Sequence, residues 1–283
     1  MRRVSTLAGL TDHLIDDAAV YPPGNAPLAE ALGAHRGYRD SPLEPLVGPL
    51  LLPASSIATV LDLVEVADDL AIGVVADHGL GSLVQARDLL ADQRWLRPVQ
   101  YELRLPAEHL VRAVELTLDA LEFTALTFLE LPGSPELVDA LDVVSDDGVE
   151  AVKFRCGPQP ADVPDARQLA TFLHGCAVRR LPFKLTAGLH RALPHTDAAT
   201  GAHQHGFLNT LAATASALDG GSVQDAVSLL STSNTGPLLE ALSAASVPSL
   251  RSVYRSLGSC SISEPFADLS ELGLVVPEPG GVS

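Results

Sequence analysis

Two residues stand out by their scarcity. The chain carries 18 basic residues, of which 16 are arginine and only two, Lys153 and Lys184, are lysine. Where surface positive charge has been given to arginine, a remaining lysine marks a place that needs an amine. The two lie in the runs Val152-Lys153-Phe154-Arg155-Cys156-Gly157 and Phe183-Lys184-Leu185-Thr186-Ala187-Gly188. Both runs alternate apolar and polar residues, as strands with two unlike faces do. Val152 and Phe154 suit one face, and so do Phe183 and Leu185; Lys153 with Arg155, and Lys184 with Thr186, share the other. On neighbouring strands the two ammonium groups would stand roughly 5 Å apart. Mutual repulsion and burial both disfavour charge, so one lysine pKa is expected to fall toward neutrality. A neutral amine can attack a carbonyl and form a Schiff base. In the plainer alternative, the lysines neutralise buried acids or bind an anionic substrate. Arg155 also suits anion binding, through paired hydrogen bonds, and Thr186 on the same face is a substrate-contact candidate.

Carboxylates come next. Asp77 ends the third strand candidate, Glu102 lies in the fourth and Glu130 ends the fifth. Glu102 faces inward by alternation, because Val99, Tyr101 and Leu103 fill the other face; Glu130 shares its parity with Leu126 and Phe128, which leaves its direction open. Glu102 or Asp77 could shuttle protons beside a lysine-bound substrate. Alternatively, Asp77, Glu102 and Glu130 could converge on Mg²⁺ or Mn²⁺, as in enolase-type barrels. Ion pairing with Arg104, Arg155 and the lysines is the simpler fate for these acids. Asp16 and Asp17 end the first strand candidate. One of them should face the interior as an acid/base or a lysine partner, with Asp17 the acid/base candidate and Asp16 a substrate contact; a turn or cap is the competing role.

Four of the nine histidines fall between 190 and 205: His190, His195, His203 and His205. His190 follows the second lysine strand directly and is the catalytic candidate among them. A lid bringing His190, His205 and Asn209 to the pocket is favoured over a structural zinc site, because no cysteine joins the histidines.

Elements must hold these side chains in place. Eight strand candidates occur at 14–20, 48–53, 71–76, 98–105, 125–131, 149–156, 182–187 and 256–263. Helical periodicity falls between them at 57–67, 83–90, 110–120, 135–144 and 166–178, and after them at 265–274. Eight such units in 283 residues fit one α/β domain, a (β/α)8 barrel. An open doubly wound sheet is the runner-up, weakened by the lack of a glycine-rich dinucleotide fingerprint. Residues 188–255 form a long insertion between the seventh and eighth strands, expected to be helical and lid-like.

With both lysines placed on adjacent strands, the pattern resembles the deoxyribose-phosphate aldolases and related class I aldolases. Lys153-Phe154-Arg155-Cys156-Gly157 resembles their sixth strand, where the lysine of a Lys-x-x-x-Gly turn forms the Schiff base. Phe183-Lys184-Leu185-Thr186-Ala187-Gly188 resembles their seventh, whose lysine tunes the first. Leu257-Gly258-Ser259-Cys260-Ser261 resembles their eighth-strand turn. The resemblance implies Lys153 as nucleophile, Lys184 as its electrostatic partner, and Ser259 and Ser261 as oxyanion or phosphate contacts. The chain departs from that family at Arg155, where a small residue is usual, and at Ala187-Gly188-Leu189-His190, which lacks a phosphate-holding glycine pair.

The expected function is that of a lyase or aldolase-like enzyme acting on a small carbonyl or carboxylate metabolite. A divalent-metal lyase or isomerase of the enolase type and a non-catalytic binding barrel are the alternatives. Composition sets limits on partners. Apolar residues make up 47% of the chain and charged residues 19%, so a large core is available. The net charge of −17 disfavours the polyanionic surfaces of nucleic acids and membranes. A small anionic substrate is the expected partner, and homo-oligomerisation is left open. Cys156, Cys176 and Cys260 show no CxxC spacing and read as free thiols of a reducing compartment. Asp12, Asp16 and Asp17 interrupt any early apolar stretch, so no signal peptide and a cytoplasmic location are expected.

Overall fold

The computed structural model describes residues 9–65, 68–148, 150–157, 159–198 and 200–274. Eight parallel strands close on themselves. Seven come in order along the chain: β1 (Ile15–Asp17), β2 (Val47–Pro53), β3 (Leu70–Val75), β4 (Leu96–Arg104), β5 (Leu126–Glu130), β6 (Ala151–Arg155) and β7 (Phe183–Thr186). A short antiparallel hairpin follows, β8 (His195–Thr196) and β9 (His203–Gln204). β10 (Tyr254–Ser259) then completes the barrel between β7 and β1. The ring is sealed by Ile15 opposite Leu257, Asp16 opposite Gly258 and Asp17 opposite Ser259. This closure replaces the open-sheet alternative, and every strand expected from alternation has its counterpart. Val149 and positions 66 and 67, expected at the ends of a strand and a helix, lie outside the described residues.

Helices α1 (Leu28–Arg39), α2 (Ile57–Leu61), α3 (Leu80–Leu90), α4 (Leu110–Leu118), α5 (Leu137–Asp147) and α6 (Ala166–Arg179) alternate with the strands. α6 begins at a capping box: Asp165 accepts from the Gln168 amide at 2.8 Å, and Gln168 accepts from the Asp165 amide at 2.9 Å. Together these bonds satisfy two of the donors that a helix start leaves unpaired. Outward-facing strand residues pack on this layer. Phe154 of β6 stacks on Phe172 of α6 with centroids 4.6 Å apart, Phe172 meets Phe183 at 5.4 Å, and Phe183 meets Tyr254 at 5.0 Å. Each such ring contributes roughly 1.5–3 kcal/mol by leaving water. The row also sets the parity of β6 and β7: with their phenylalanines outside, both lysines must point in.

The insertion is less of a lid than expected. Four helices occupy most of it, α7 (Phe207–Leu218), α8 (Val223–Ser231), α9 (Thr235–Ala244) and α10 (Val247–Val253), ahead of α11 (Ser263–Glu271). α7 packs against α6, α8 and α9, so these helices thicken the outer layer. The part before α7 is what reaches the carboxyl ends of the strands. Among the described residues no helix is long and apolar enough to cross a membrane.

Candidate active site

Inside the barrel the strands bring charge to one place. Lys153 and Lys184 are direct register partners across β6 and β7. Glu102, on β4, stands between them: Oε2 accepts from Lys153 Nζ at 2.6 Å and Oε1 from Lys184 Nζ at 2.5 Å. Lys153 also meets Glu130 Oε2 at 2.8 Å, and Lys184 donates to Asp16. Arg155 Nε donates to Glu130 Oε1 at 2.9 Å, higher on β6. Lys153, Lys184 and Arg155 are thus matched by Asp16, Glu102 and Glu130. Burial of ions at this depth is tolerable only with such matching.

The direction of Glu130, open from the sequence, is inward. Phe128 shares that face, its ring centroid 5.3 Å from Lys184 Nζ. The other half of the interior makes room for the polar network. A Cβ at Gly73 would stand 2.6 Å from Leu51 and 2.9 Å from Gln100, and one at Gly48 would stand 2.6 Å from Asp16 Oδ1. With no side chains there, Gln100 reaches across to Asp16 Oδ2 at 2.8 Å and to Glu102 Oε1 at 3.1 Å. Ser256 adds a donor to Asp16 at 3.0 Å. Gln100 and Ser256 were not singled out from the sequence. Gln100 shares the parity of Glu102, so the alternation that placed Glu102 was the available signal.

The electrostatics reverse one expectation. Burial alone would lower the Lys153 pKa, but Glu102 and Glu130 outweigh it and hold the ammonium above its ordinary value. Attraction to two carboxylates within 2.8 Å dominates over repulsion by the second lysine. Burial likewise works against charge on Glu102, yet Lys153 and Lys184 hold its carboxyl at about 2. Glu130 is held at about 2 by Lys153 and Arg155 against the same penalty. Lys153 is 4% exposed and Lys184 0%, so both ammonium groups are enclosed by the barrel.

Several expected participants lie elsewhere. Asp17 takes the opposite parity to Asp16 and meets His35 of α1 at 2.9 Å, so it supports the wall and not the lysines. Asp77 accepts from the Ser55 hydroxyl and amide and lies 3.3 Å from His78. Glu102 and Glu130 share Lys153, so the three acids proposed as a Mg²⁺ or Mn²⁺ site do not converge. No group of three His, Cys, Asp or Glu side chains suited to a metal occurs among the described residues. Thr186 is half-buried one inward position above Lys184; a Cβ at Gly258 would stand 3.2 Å from its Oγ1. Ser259 is spent in a turn, donating to Ser261 O at 2.8 Å and accepting from its amide at 3.2 Å. Ser261 accepts from the Glu264 amide at 3.3 Å at the start of α11. His205 is buried and donates through Nε2 to Pro164 O at 2.8 Å. Asn209, inside α7, donates to Leu229 O and Thr232 O at 2.7 Å each and so holds the end of α8.

His190 sits at the rim, where its ring touches Ser259, Cys260 and Glu264. The rim borders a cavity of about 1070 Å³ lined from the loops after β1, β6, β7 and β10, including Pro22, Gly24, Leu193, Gln204 and Leu272; neither lysine lines it. Two turns beside it fit closely. Ala187 and Gly188 both take left-handed φ (+62° and +71°), and a Cβ at Gly188 would stand 2.5 Å from Cys156 O. Only glycine tolerates that approach. Tyr21, also absent from the expectations, has its hydroxyl buried with no hydrogen-bond partner among the described residues, within electrostatic reach of Glu102 and Asp77. Comparison of the chain with protein-family models, curated proteins and solved structures found no match.

Proposed function

We propose that this chain is a lyase of aldolase-like type that acts on a small carbonyl or carboxylate metabolite through Lys153. The observation that carries the reading is the Lys153–Glu102–Lys184 bridge between adjacent inward strands. A structural barrel gains nothing from it, because matched ions in a core are seldom more stable than apolar packing. In the reaction, a substrate carbonyl displaces one carboxylate from Lys153. Glu130 takes the ammonium proton, and the freed amine adds to the carbonyl carbon. Glu130 then returns its proton to the carbinolamine hydroxyl, which leaves as water, and an iminium remains. Lys184, paired with Glu102 at 2.5 Å, helps to keep that carboxyl anionic. The unpartnered Tyr21 hydroxyl supplies a donor for the substrate oxygen.

The raised pKa of Lys153 favours a second reading, in which the ammonium itself donates a proton to a developing enolate and no covalent bond forms. Borohydride reduction with a panel of small aldehydes, ketones and 2-oxo acids separates the two. The lyase reading expects a reduced adduct on Lys153, lost in Lys153→Arg and slowed in Glu130→Gln. Turnover of a panel member with no adduct, abolished in Lys153→Arg, supports the acid reading. Neither adduct nor turnover on any panel member, or turnover unaffected by Lys153→Arg, overturns both.

A further inference from the structure

A second set of reactive groups lies outside the lysine cluster. Cys260 follows β10 by one residue, and its Sγ stands 3.9 Å from His190 Nε2. On the other side of the same ring, Nδ1 lies 3.4 Å from Glu264 Oε2 and 3.4 Å from Ser259 Oγ. Thiol, imidazole and carboxylate therefore follow one another in the order of a nucleophile, its base and the group that orients the base. All three line the 1070 Å³ cavity. That cavity also carries a buried polar atom left open: Gln204, 3% exposed, has its Oε1 buried without a hydrogen-bond partner among the described residues. Buried polar atoms left open in a concave wall point to a ligand that satisfies them.

We propose that Cys260, His190 and Glu264 form a nucleophilic thiol site that accepts an acyl group from an ester or thioester held in this cavity. His190 Nε2 takes the thiol proton as the Sγ–acyl bond forms. The bond from acyl carbon to the leaving alcohol or thiol then breaks, and that group departs with the proton from Nε2. Water releases the acid by the reverse sequence: its proton passes to Nε2 and on to Sγ as the thioester bond breaks. The glutamate keeps Nδ1 protonated and aimed, so Nε2 remains the acceptor. The amide of Gly24 faces the sulfur and favours its charged form. A Cβ at Gly24 would stand 3.0 Å from the Cys260 Cβ, so glycine is what allows that approach. Burial, together with Glu264 and Asp17, still holds the thiol above its ordinary pKa, so the resting group is neutral and depends on His190 as base. Cys156 and Cys176 are fully buried, and the Cys156 thiol is pushed up to about 12 by burial; both serve as internal controls.

The test uses the full chain and 4-nitrophenyl acetate, with peptide mapping of the acetylated residue. The expected result is a stoichiometric burst of nitrophenolate, with the acetyl group on Cys260 and none on Cys156 or Cys176. His190→Gln slows the burst about a hundredfold, within the usual range for a lost general base. Glu264→Gln changes a half-exposed side chain that the fold tolerates, and slows the burst several-fold with an unchanged circular dichroism spectrum. The proposal is overturned if the burst survives Cys260→Ala, if Cys260 is not acetylated, or if its acetylation proceeds at the same rate in both His190→Gln and Glu264→Gln.

Discussion

Ser256 lies within β10 and Cys260 just past its end. Their surroundings are opposite in kind. Ser256 donates to Asp16 at 3.0 Å inside a network where every charge is matched, and its neighbour Lys184 is fully enclosed. Cys260 stands beside one imidazole at 3.9 Å and opens on a cavity. In the lower region, ions hold one another charged, with carboxyl pKa values pulled below and the Lys153 pKa above the ordinary range. In the upper region, a thiol held above its ordinary pKa faces an imidazole across 3.9 Å. The contrast shows how one barrel can separate a rigid, electrostatically locked floor from a rim whose groups can still exchange partners. Function and stability should be coupled tightly below and loosely above.

The sharpest way to break that comparison is Glu102→Ala. Lys153 and Lys184 would lose their shared carboxylate, and unpairing a buried ion costs about 3–5 kcal/mol. Urea unfolding should show a loss of that size; a loss below about 1 kcal/mol would mean that water already reaches the floor. Acid should act next. Glu102 and Glu130 have carboxyls lowered from 4.5 to about 2, so the folded state favours their charged forms. Their stabilisation is complete above pH 4.5 and is lost as pH falls through about 2. Lys153, raised above 10.5, has the opposite sign: its contribution is complete below 10.5 and fades as pH rises beyond it. Thermal unfolding across pH should therefore show Tm falling on both flanks. Glu130→Gln should flatten the acid flank; an unchanged flank would place the acid-sensitive groups elsewhere.

Asn209→Ala comes third. Two carbonyls near the end of α8 would lose their donor, at a cost of about 1–3 kcal/mol, read from denaturation midpoints. Borohydride trapping at Lys153 should survive in the molecules that remain folded, which separates the outer layer from the floor. The smallest effect belongs to Asp77→Ala. Its partners are Ser55 and His78, so stability should move by about 0.5 kcal/mol and lysine trapping not at all. A strong loss of trapping would bring Asp77 back into the reaction.

Much of the barrel was legible because alternation is a local signal. Phe154, Phe183 and Leu185 had to leave the interior, and that placed Lys153 and Lys184 inside without any knowledge of the closed ring. The same reasoning left Glu130 undecided, because Phe128 on the same face looked apolar enough to point outward. It points inward, with its ring 5.3 Å from Lys184 Nζ. Asp17, Asn209 and His205 looked like pocket residues because of where they fall in the chain. Their partners, His35, the end of α8 and Pro164, are 18 to 41 residues away in sequence, which no local pattern reveals.

From sequence alone came the eight barrel strands, the inward face of both lysines and the rarity of lysine, since each depends on residue type and spacing along one segment. The protonation state of Lys153 was decided only by the fold. Glu102 and Glu130 arrive at its ammonium from other strands, and electrostatic energy depends on distance through space. Two amines read in isolation repel, but a carboxylate set between them reverses the sign.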